Sequence, residues 1–218
     1  RQCAAYALGQ LGEQALPALA SLRKAIRDPK IRVSTMAAEA LGQIRSPESV
    51  QILIQALQFG VHALKKKAAI ALGQLNIHAQ PAIPHLIEHL DYSASMTFWV
   101  DIAHSLLRIG LNDKDKQEAC HKLLQFFDED STHFDEGIQL SWVREHAVDA
   151  LGYLGTEDAI PPLLSLIQPL QQEGPLHEKV LRALRRLGPI ATPAIPLLTS
   201  QHNHPWLEKD ISQTLASI

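Results

Sequence analysis

The sequence predicts an all-α fold built from stacked antiparallel helix pairs. Three observations carry that prediction. The first is a near-identical nonapeptide written three times: CAAYALGQL at residues 3–11, MAAEALGQI at 36–44 and KAAIALGQL at 67–75. The second is its spacing along the whole chain. Anchored on the leucine of ALG, the copies fall at Leu8, Leu41, Leu72, Leu106, Leu151, Leu184 and Leu215, with intervals of 33, 31, 34, 45, 33 and 31 residues. A period in this range marks units that bury their apolar faces only by stacking on neighbours. The third is the pattern inside each copy. Val33, Ala37, Ala40, Leu41 and Ile44 form one apolar stripe of a helix. Leu64, Ala68, Ala71, Leu72 and Leu75 repeat it, as do Val143, Ala147, Ala150, Leu151 and Leu154.

Each of these second helices is preceded by a first helix. The first helices are expected over Pro17 to Ile26, Pro47 to Leu57, Pro81 to Leu90, Pro161 to Leu170 and Pro193 to Leu198. Proline suits a first helical turn, where its missing N–H has no partner to lose. Gly12, Gly110, Gly155 and Gly188 follow second helices, where a left-handed cap is expected. Ala38-Gly42 and Ala69-Gly73 place small side chains beside the core leucines. A glycine inside a helix costs about 1 kcal/mol against alanine, so its recurrence predicts close helix approach. No segment alternates like a strand. The interval of 45 is one ordinary step plus an insertion, and the total is about six and a half helix pairs.

Composition excludes several function classes. The 218 residues are 46% hydrophobic and 20% charged, with a formal charge of −3. That composition forms a core and is not disordered. It is also not the basic chain expected of a nucleic-acid coat. No apolar run reaches the ~20 residues of a membrane helix. Cys3 and Cys120 lack metal-type spacing and are read as small buried hydrophobes in a reducing, cytoplasmic setting. The chain opens at Arg1 within a second-type helix that has no polar cap. It is therefore expected to be a fragment of a longer chain, a single solenoid over 1–218 with further repeats, another domain or a partner at that end.

DPKIRVSTMAAEALGQI, SWVREHAVDALGYLG and PAIPHLIEHL together resemble HEAT repeats, in particular the bacterial type named after phycobilisome lyases. The resemblance covers nearly the whole chain. It implies a right-handed α-solenoid with the first helices outside and the second helices lining a concave face. HEAT-like phycobilin lyases help attach or detach a bilin, which would need arginines beside an aromatic groove. Tyr92, Met96, Phe98 and Trp99 are the densest aromatic cluster, with Arg108 and Arg144 as candidate propionate partners. Phe98 also occupies the Val33 position and so reads as core. Deoxyhypusine hydroxylases resemble this fold too, but hold iron through several His-Glu dipeptides. Only His177-Glu178 is present, and residues 145–146 read Glu-His, so that reading is set aside.

No phosphate-binding glycine loop, zincin motif, Cys-x-x-Cys or nucleophile elbow is present. His85 and His89 share a helix face without a third ligand. No cofactor, no metal and no enzymatic step are expected, with a phycobilin lyase-like or chaperone-like subunit as the alternative. The insertion, FDEDSTHFDEGIQLS at 127–141, carries five acids between Asp128 and Glu136 without the EF-hand pattern. It reads as a mobile acidic loop at 128–141 or a docking element for a basic partner. Trp142 and Trp206 are expected to shield repeat edges, and His202 and His204 to lie in a loop.

Three rows are expected on the groove. Tyr6, Glu39, Ile70, His104, Asp149, Arg182 and Gln213 stand two residues before the repeat leucines. Gln2, Thr35, Lys66, Val100, Glu145, Glu178 and Lys209 stand one turn earlier. Ser34, Lys65, Trp99, Arg144, His177 and Glu208 follow the Val33 position. Their chemistry varies while the core does not. The expected function is a non-enzymatic scaffold surface for another protein, as in the repeat portion of a larger regulatory or signalling protein. Its expected contacts are Lys65, Lys66, Trp99, His104, Arg144 and Asp149, with Trp99 as anchor if it is exposed rather than tucked against the next repeat. Nucleic acid is disfavoured, because Glu39, Glu145, Asp149 and Glu178 interrupt Lys65-Lys66-Lys67 and Arg182, Arg185 and Arg186.

Overall fold

The apolar stripes become a ladder of second helices. A computed structural model describes residues 1–90, 96–127, 140–166, 175–201 and 208–218, and the secondary structure among them is helical. The chain divides into two compact units, Arg1–Asn112 and Asp113–Ile218. In unit 1 the helices are α1 (Gln2–Gln10), α2 (Leu19–Ala25), α3 (Ile31–Ile44), α4 (Glu48–Phe59), α5 (His62–Gln74), α6 (Ile83–Glu88) and α7 (Met96–Ile109). α1, α3, α5 and α7 pack one on the next, and α2, α4 and α6 pack on α3, α5 and α7 respectively. In unit 2 they are α8 (Asp113–Leu124), α9 (Leu140–Leu154), α10 (Ile160–Ser165), α11 (Pro175–Leu187), α12 (Ile195–Gln201) and α13 (Glu208–Leu215). There α9, α11 and α13 form the ladder, paired with α8, α10 and α12.

The predicted core is the observed core. Val33, Ala37, Ala40, Leu41 and Ile44 are buried, as are their counterparts in α5 and Ala147, Ala150, Leu151 and Leu154 in α9. Each fully buried Leu or Ile contributes about 1.5–3 kcal/mol. The glycine of ALG is explained by distance. A Cβ on Gly42 would lie 2.9 Å from Ala71 Cα, one on Gly73 2.8 Å from Ser105 Cα, and one on Gly152 2.9 Å from Ala183 Cα. Backbone meets backbone there, and no side chain fits between. The glutamine that follows the glycine in the motif has a role as well. Gln43 Oε1 lies 2.2 Å from where a Gly9 Cβ would be, and Gln74 Oε1 2.4 Å from that of Gly42. Each glutamine thus covers the glycine of the preceding repeat.

Four residues beyond the first six repeat leucines the chain turns left-handed. Gly12, Gly110, Gly155 and Gly188 do so as expected, with φ of 55°, 89°, 64° and 57°. Arg45 and Asn76 occupy the same repeat position and adopt φ of 55° and 51° without being glycine. The turn belongs to the repeat, and the residue type is secondary to it.

Two expectations are corrected here. The first helices were expected to start as α-helix at their prolines, but Gly12–Ala18, Asn76–Ala82 and Gly188–Ala194 are 3-10 segments that enclose Pro17, Pro81 and Pro193. Proline denies the i→i−4 bond and crowds the preceding turn, so the chain winds more tightly until it is past the ring. Pro47 and Pro161 stand at helix starts as expected. Cys120 is buried, but Cys3 is exposed. Cys3 shares the repeat position of Lys67, Asp101, His146 and Lys179, all partly solvent-accessible, so that position faces water rather than core. Tyr92, the 128–139 part of the insertion, His202, His204 and Trp206 lie outside the described residues, as do the side chains of Met96 and Trp142.

Candidate surface on the second helices

Two of the three expected rows are on the solvent side. In unit 1, Tyr6 and His104 are exposed, and Glu39, Ile70, Thr35, Lys66 and Val100 are half-buried. In unit 2, Arg182, Gln213, Glu178 and Lys209 are exposed, while Asp149 and Glu145 are half-buried.

The third row is not on a groove. Ser34, Trp99 and His177 are buried, at 3%, 1% and 7% exposure, and Lys65 and Arg144 are half-buried. The reason is a spacing of four. Ser34, Ala38 and Gly42 fall at i, i+4 and i+8, so the row begins the same stripe that stacks on the next helix. Lys65-Ala69-Gly73 and Arg144-Val148-Gly152 repeat it. Trp99 is therefore core and cannot serve as an exposed anchor. Tyr6, 53% exposed, is the aromatic that the solvent rows present.

Charged side chains of the rows reach across the ladder. Lys67 Nζ donates to Glu39 Oε2 at 3.1 Å, joining α5 to α3. Lys66 Nζ lies 2.9 Å from Asp101 Oδ2 on α7, as an ion pair without hydrogen-bond alignment. In unit 2, Lys179 on α11 sits 3.3 Å from Glu145 and 3.1 Å from Asp149, both on α9, and Arg186 adds a 3.7 Å contact to Asp149. Arg186 also stacks over the Tyr153 ring at 4.2 Å. Two lysines of the basic run are thus matched by acids, which breaks any continuous basic track.

The bilin arrangement does not assemble on α7. Phe98 and Trp99 are buried near its start, with Phe98 edge-on to His62 at 5.7 Å. Arg108 is exposed near its end, about 14 Å further along at 1.5 Å per residue. It lines a hollow of about 410 Å³ with Arg45, Gln43 and Gln74. His85 is hydrogen-bonded through Nδ1 to Gln58 Nε2 at 3.1 Å. Among the described residues no three His, Cys, Asp or Glu side chains are grouped to hold a metal. His177 carries two buried ring nitrogens without hydrogen-bond partners, and burial pushes its pKa below the ordinary 6.5. Burial likewise raises the Cys120 thiol, although Thr156 donates to its sulfur at 2.7 Å. No described helix is long and apolar enough to cross a membrane.

Residues 20–97 match the family described as HEAT repeats, and residues 143–169 match the phycobilisome lyase HEAT-like repeat. These are HEAT repeats. No curated protein sequence matches the chain. Among solved structures it is similar to an engineered protein, at 16% identity with a TM-score of 0.54, over 92% of this chain and 96% of the other. That likeness concerns the fold. Human deoxyhypusine hydroxylase, solved with glycerol, aligns at 21% identity and a TM-score of 0.41, over 99% of this chain and 78% of the other. The CpcE–CpcF complex of phycocyanin lyase from Nostoc sp. PCC7120 aligns at 16% identity and 0.42, over 100% and 89%.

The HEAT repeats of this chain therefore separate two jobs by helix face. One stripe of each second helix is fixed by stacking and reads as Ala, Gly and Leu. The solvent rows are free of that constraint: the row of Tyr6 differs at every repeat, and the row of Gln2 repeats only Glu and Lys.

Proposed function

We propose that these HEAT repeats hold a partner protein against the solvent side of their second helices, by multipoint side-chain contact and with no covalent step. The observation that carries this reading is the contrast between a buried core that keeps Leu at every repeat, flanked mostly by Ala, and solvent rows that run Tyr6, Glu39, Ile70, His104 in unit 1 and Asp149, Arg182, Gln213 in unit 2. Differing side chains at equivalent positions can read an irregular partner. Of the contacts expected from sequence, Lys66, His104 and Asp149 stay in the proposal. Lys65 and Arg144, half-buried at the start of the stacking stripe, are secondary contacts, and Tyr6 replaces Trp99 as the apolar anchor.

A photo-crosslinking amino acid placed at Tyr6 or His104, with Glu88 on α6 as control, tests this in cells. The expected result is one discrete protein adduct from Tyr6 and His104 and none from Glu88. Equal labelling from all three positions, or none from any, overturns the proposal.

A second reading, a lyase-like subunit acting on a bilin protein, is favoured by the match at residues 143–169. Co-expression with a bilin would give a coloured complex if it holds, and a colourless protein sinks it.

A further inference from the structure

We propose that the cleft between α2 and α4 is a docking groove for an acidic amphipathic helix of a partner protein. This surface is formed by first helices and is separate from the rows above. Residues 19–30 carry Arg23, Lys24, Arg27 and Lys30 against Asp28 alone, in a chain whose net charge is −3. Asp28 is already engaged, by Arg1 through its side chain and by the Lys30 backbone N–H. Arg23, Lys24 and Arg27 are exposed, and none of their side chains has a hydrogen-bond or ion-pair partner among the described residues. Arg23 and Arg27 are four residues apart, so their guanidinium groups line one edge of α2.

The cleft beside that edge has a volume of about 590 Å³ and is walled by Leu19, Ala20, Arg23, Arg27, Ile52 and Gln55, among others. A second cleft of about 350 Å³ shares Arg23, Arg27, Ile52 and Gln55 and continues to Ala56 and Phe59. The groove therefore follows the 12 residues of α4, about 18 Å or three helical turns. It ends at Phe59, which is 85% exposed. An exposed phenylalanine at the end of an apolar floor, with one basic edge, matches a helix with an apolar face and an acidic flank. The opposite wall carries Gln51 and Gln55 as neutral hydrogen-bonding groups and one acid, Glu48 at the start of α4, against the three cations Arg23, Lys24 and Arg27. The concave shape favours a helix over a flat bilayer.

The test uses fluorescence anisotropy with a labelled peptide of about sixteen residues, enough to cover α4 with a turn to spare. One face carries leucine and the other glutamate, and a second peptide carries lysine in place of glutamate. The glutamate peptide is expected to bind, with Kd rising about tenfold or more in Arg23→Glu/Arg27→Glu and also rising in Phe59→Ser. The lysine peptide is expected to bind the charge-reversed variant better than the wild type. All three positions are exposed, and far-UV circular dichroism verifies that each variant is folded. The proposal is overturned by no glutamate-peptide binding up to about 1 mM, by equal binding of both peptides, or by variants that change nothing. Binding of phosphatidylserine vesicles that depends on Arg23, Arg27 and Phe59, without peptide binding, also overturns it in favour of a membrane contact. None of these outcomes bears on the second-helix surface.

Discussion

Unit 1 and unit 2 build the same ladder from close contact and charge in different proportions. In unit 1, α1, α3, α5 and α7 are joined at Gly9–Ala40, Gly42–Ala71 and Gly73–Ser105, each too close for a Cβ to pass without displacement. Dispersion between backbones holds these steps, and the more exposed Lys67–Glu39 and Lys66–Asp101 pairs span two of them at the solvent edge. In unit 2, Gly152 meets Ala183 in the same way, but Lys179 and Arg186 also bind Glu145 and Asp149 across the step. At the next step Arg185 replaces the glycine and donates to Thr214 at 3.1 Å and Gln213 at 3.2 Å. One repeat position thus carries a hydrogen atom at Gly9, Gly42, Gly73 and Gly152 and a guanidinium at Arg185, with Leu107 and Ala216 at the remaining copies. A ladder step can be closed by contact or spanned by charge, and the two respond differently to salt, pH and added volume.

The largest expected effect is on unit 1. Trp99→Ala removes its largest fully buried side chain and is expected to cost about 3–5 kcal/mol. Urea unfolding measures the loss, and hydrogen exchange should place it in α5 and α7 rather than unit 2. A loss below 1 kcal/mol would mean that Trp99 is not in the core.

Gly42→Ala comes next, at about 1–3 kcal/mol, because the added methyl meets Ala71 backbone. Gly110→Ala is the control. Nothing lies within 4 Å of its Cβ position, but its φ is 89°, so only the left-handed conformation is penalised, by about 1–2 kcal/mol. If the two variants had identical exchange patterns across the ladder, close approach would not be the reason for the motif's glycine.

Lys179→Gln probes the clamp of unit 2. It leaves Glu145 without its Lys179 partner and Asp149 with only the 3.7 Å contact to Arg186. The groups are 20%, 12% and 17% exposed, so water moderates the effect to roughly 1–2 kcal/mol. The gap between variant and wild type should narrow in 1 M NaCl, where screening acts within about 3 Å. A gap indifferent to salt would remove charge from the comparison. In unit 1, Arg45→Gly should raise stability by about 1 kcal/mol, since glycine accepts φ of 55° without the Cβ penalty. Matched thermal melts measure it, and a lower melting temperature would show that the arginine side chain is needed at that turn.

The smallest effect is acid sensitivity in unit 2. His177 is held neutral by burial, with its pKa below the ordinary 6.5. The unfolded chain takes up a proton as pH falls through that value, while the folded chain resists. Stability is therefore complete near pH 8 and declines as pH drops below about 6.5. Urea midpoints at pH 8 and pH 5 should converge in His177→Gln relative to wild type. An unchanged pH slope would assign the acid sensitivity elsewhere.

The fold was legible because the core is periodic. Leu41, Leu72 and Leu151 with their flanking alanines announce one helix face at a fixed interval, and the four glycine caps follow from backbone sterics alone. The site was legible only in part. Rows two residues before the leucine and one turn earlier face solvent, as a helical wheel requires. The Trp99 row was misplaced because it adjoins the groove on that wheel. Its alignment with Ala103, and of Ser34 with Ala38 and Gly42, was the available signal that it stacks. The α2–α4 cleft left no trace in any motif, because it depends on the space between two helices.

The sequence by itself determined the helix pairs, the repeat, the buried stripe and the separation of an invariant face from a variable one. Local hydrogen bonding and the period of 3.6 residues set these without reference to anything distant. Tertiary structure alone decided which variable positions reach water, which charges find partners and where α2 and α4 leave room between them. Those depend on how near the next helix comes, and that distance is set by backbone contacts such as Gly42 on Ala71 rather than by the side chains that a partner would meet.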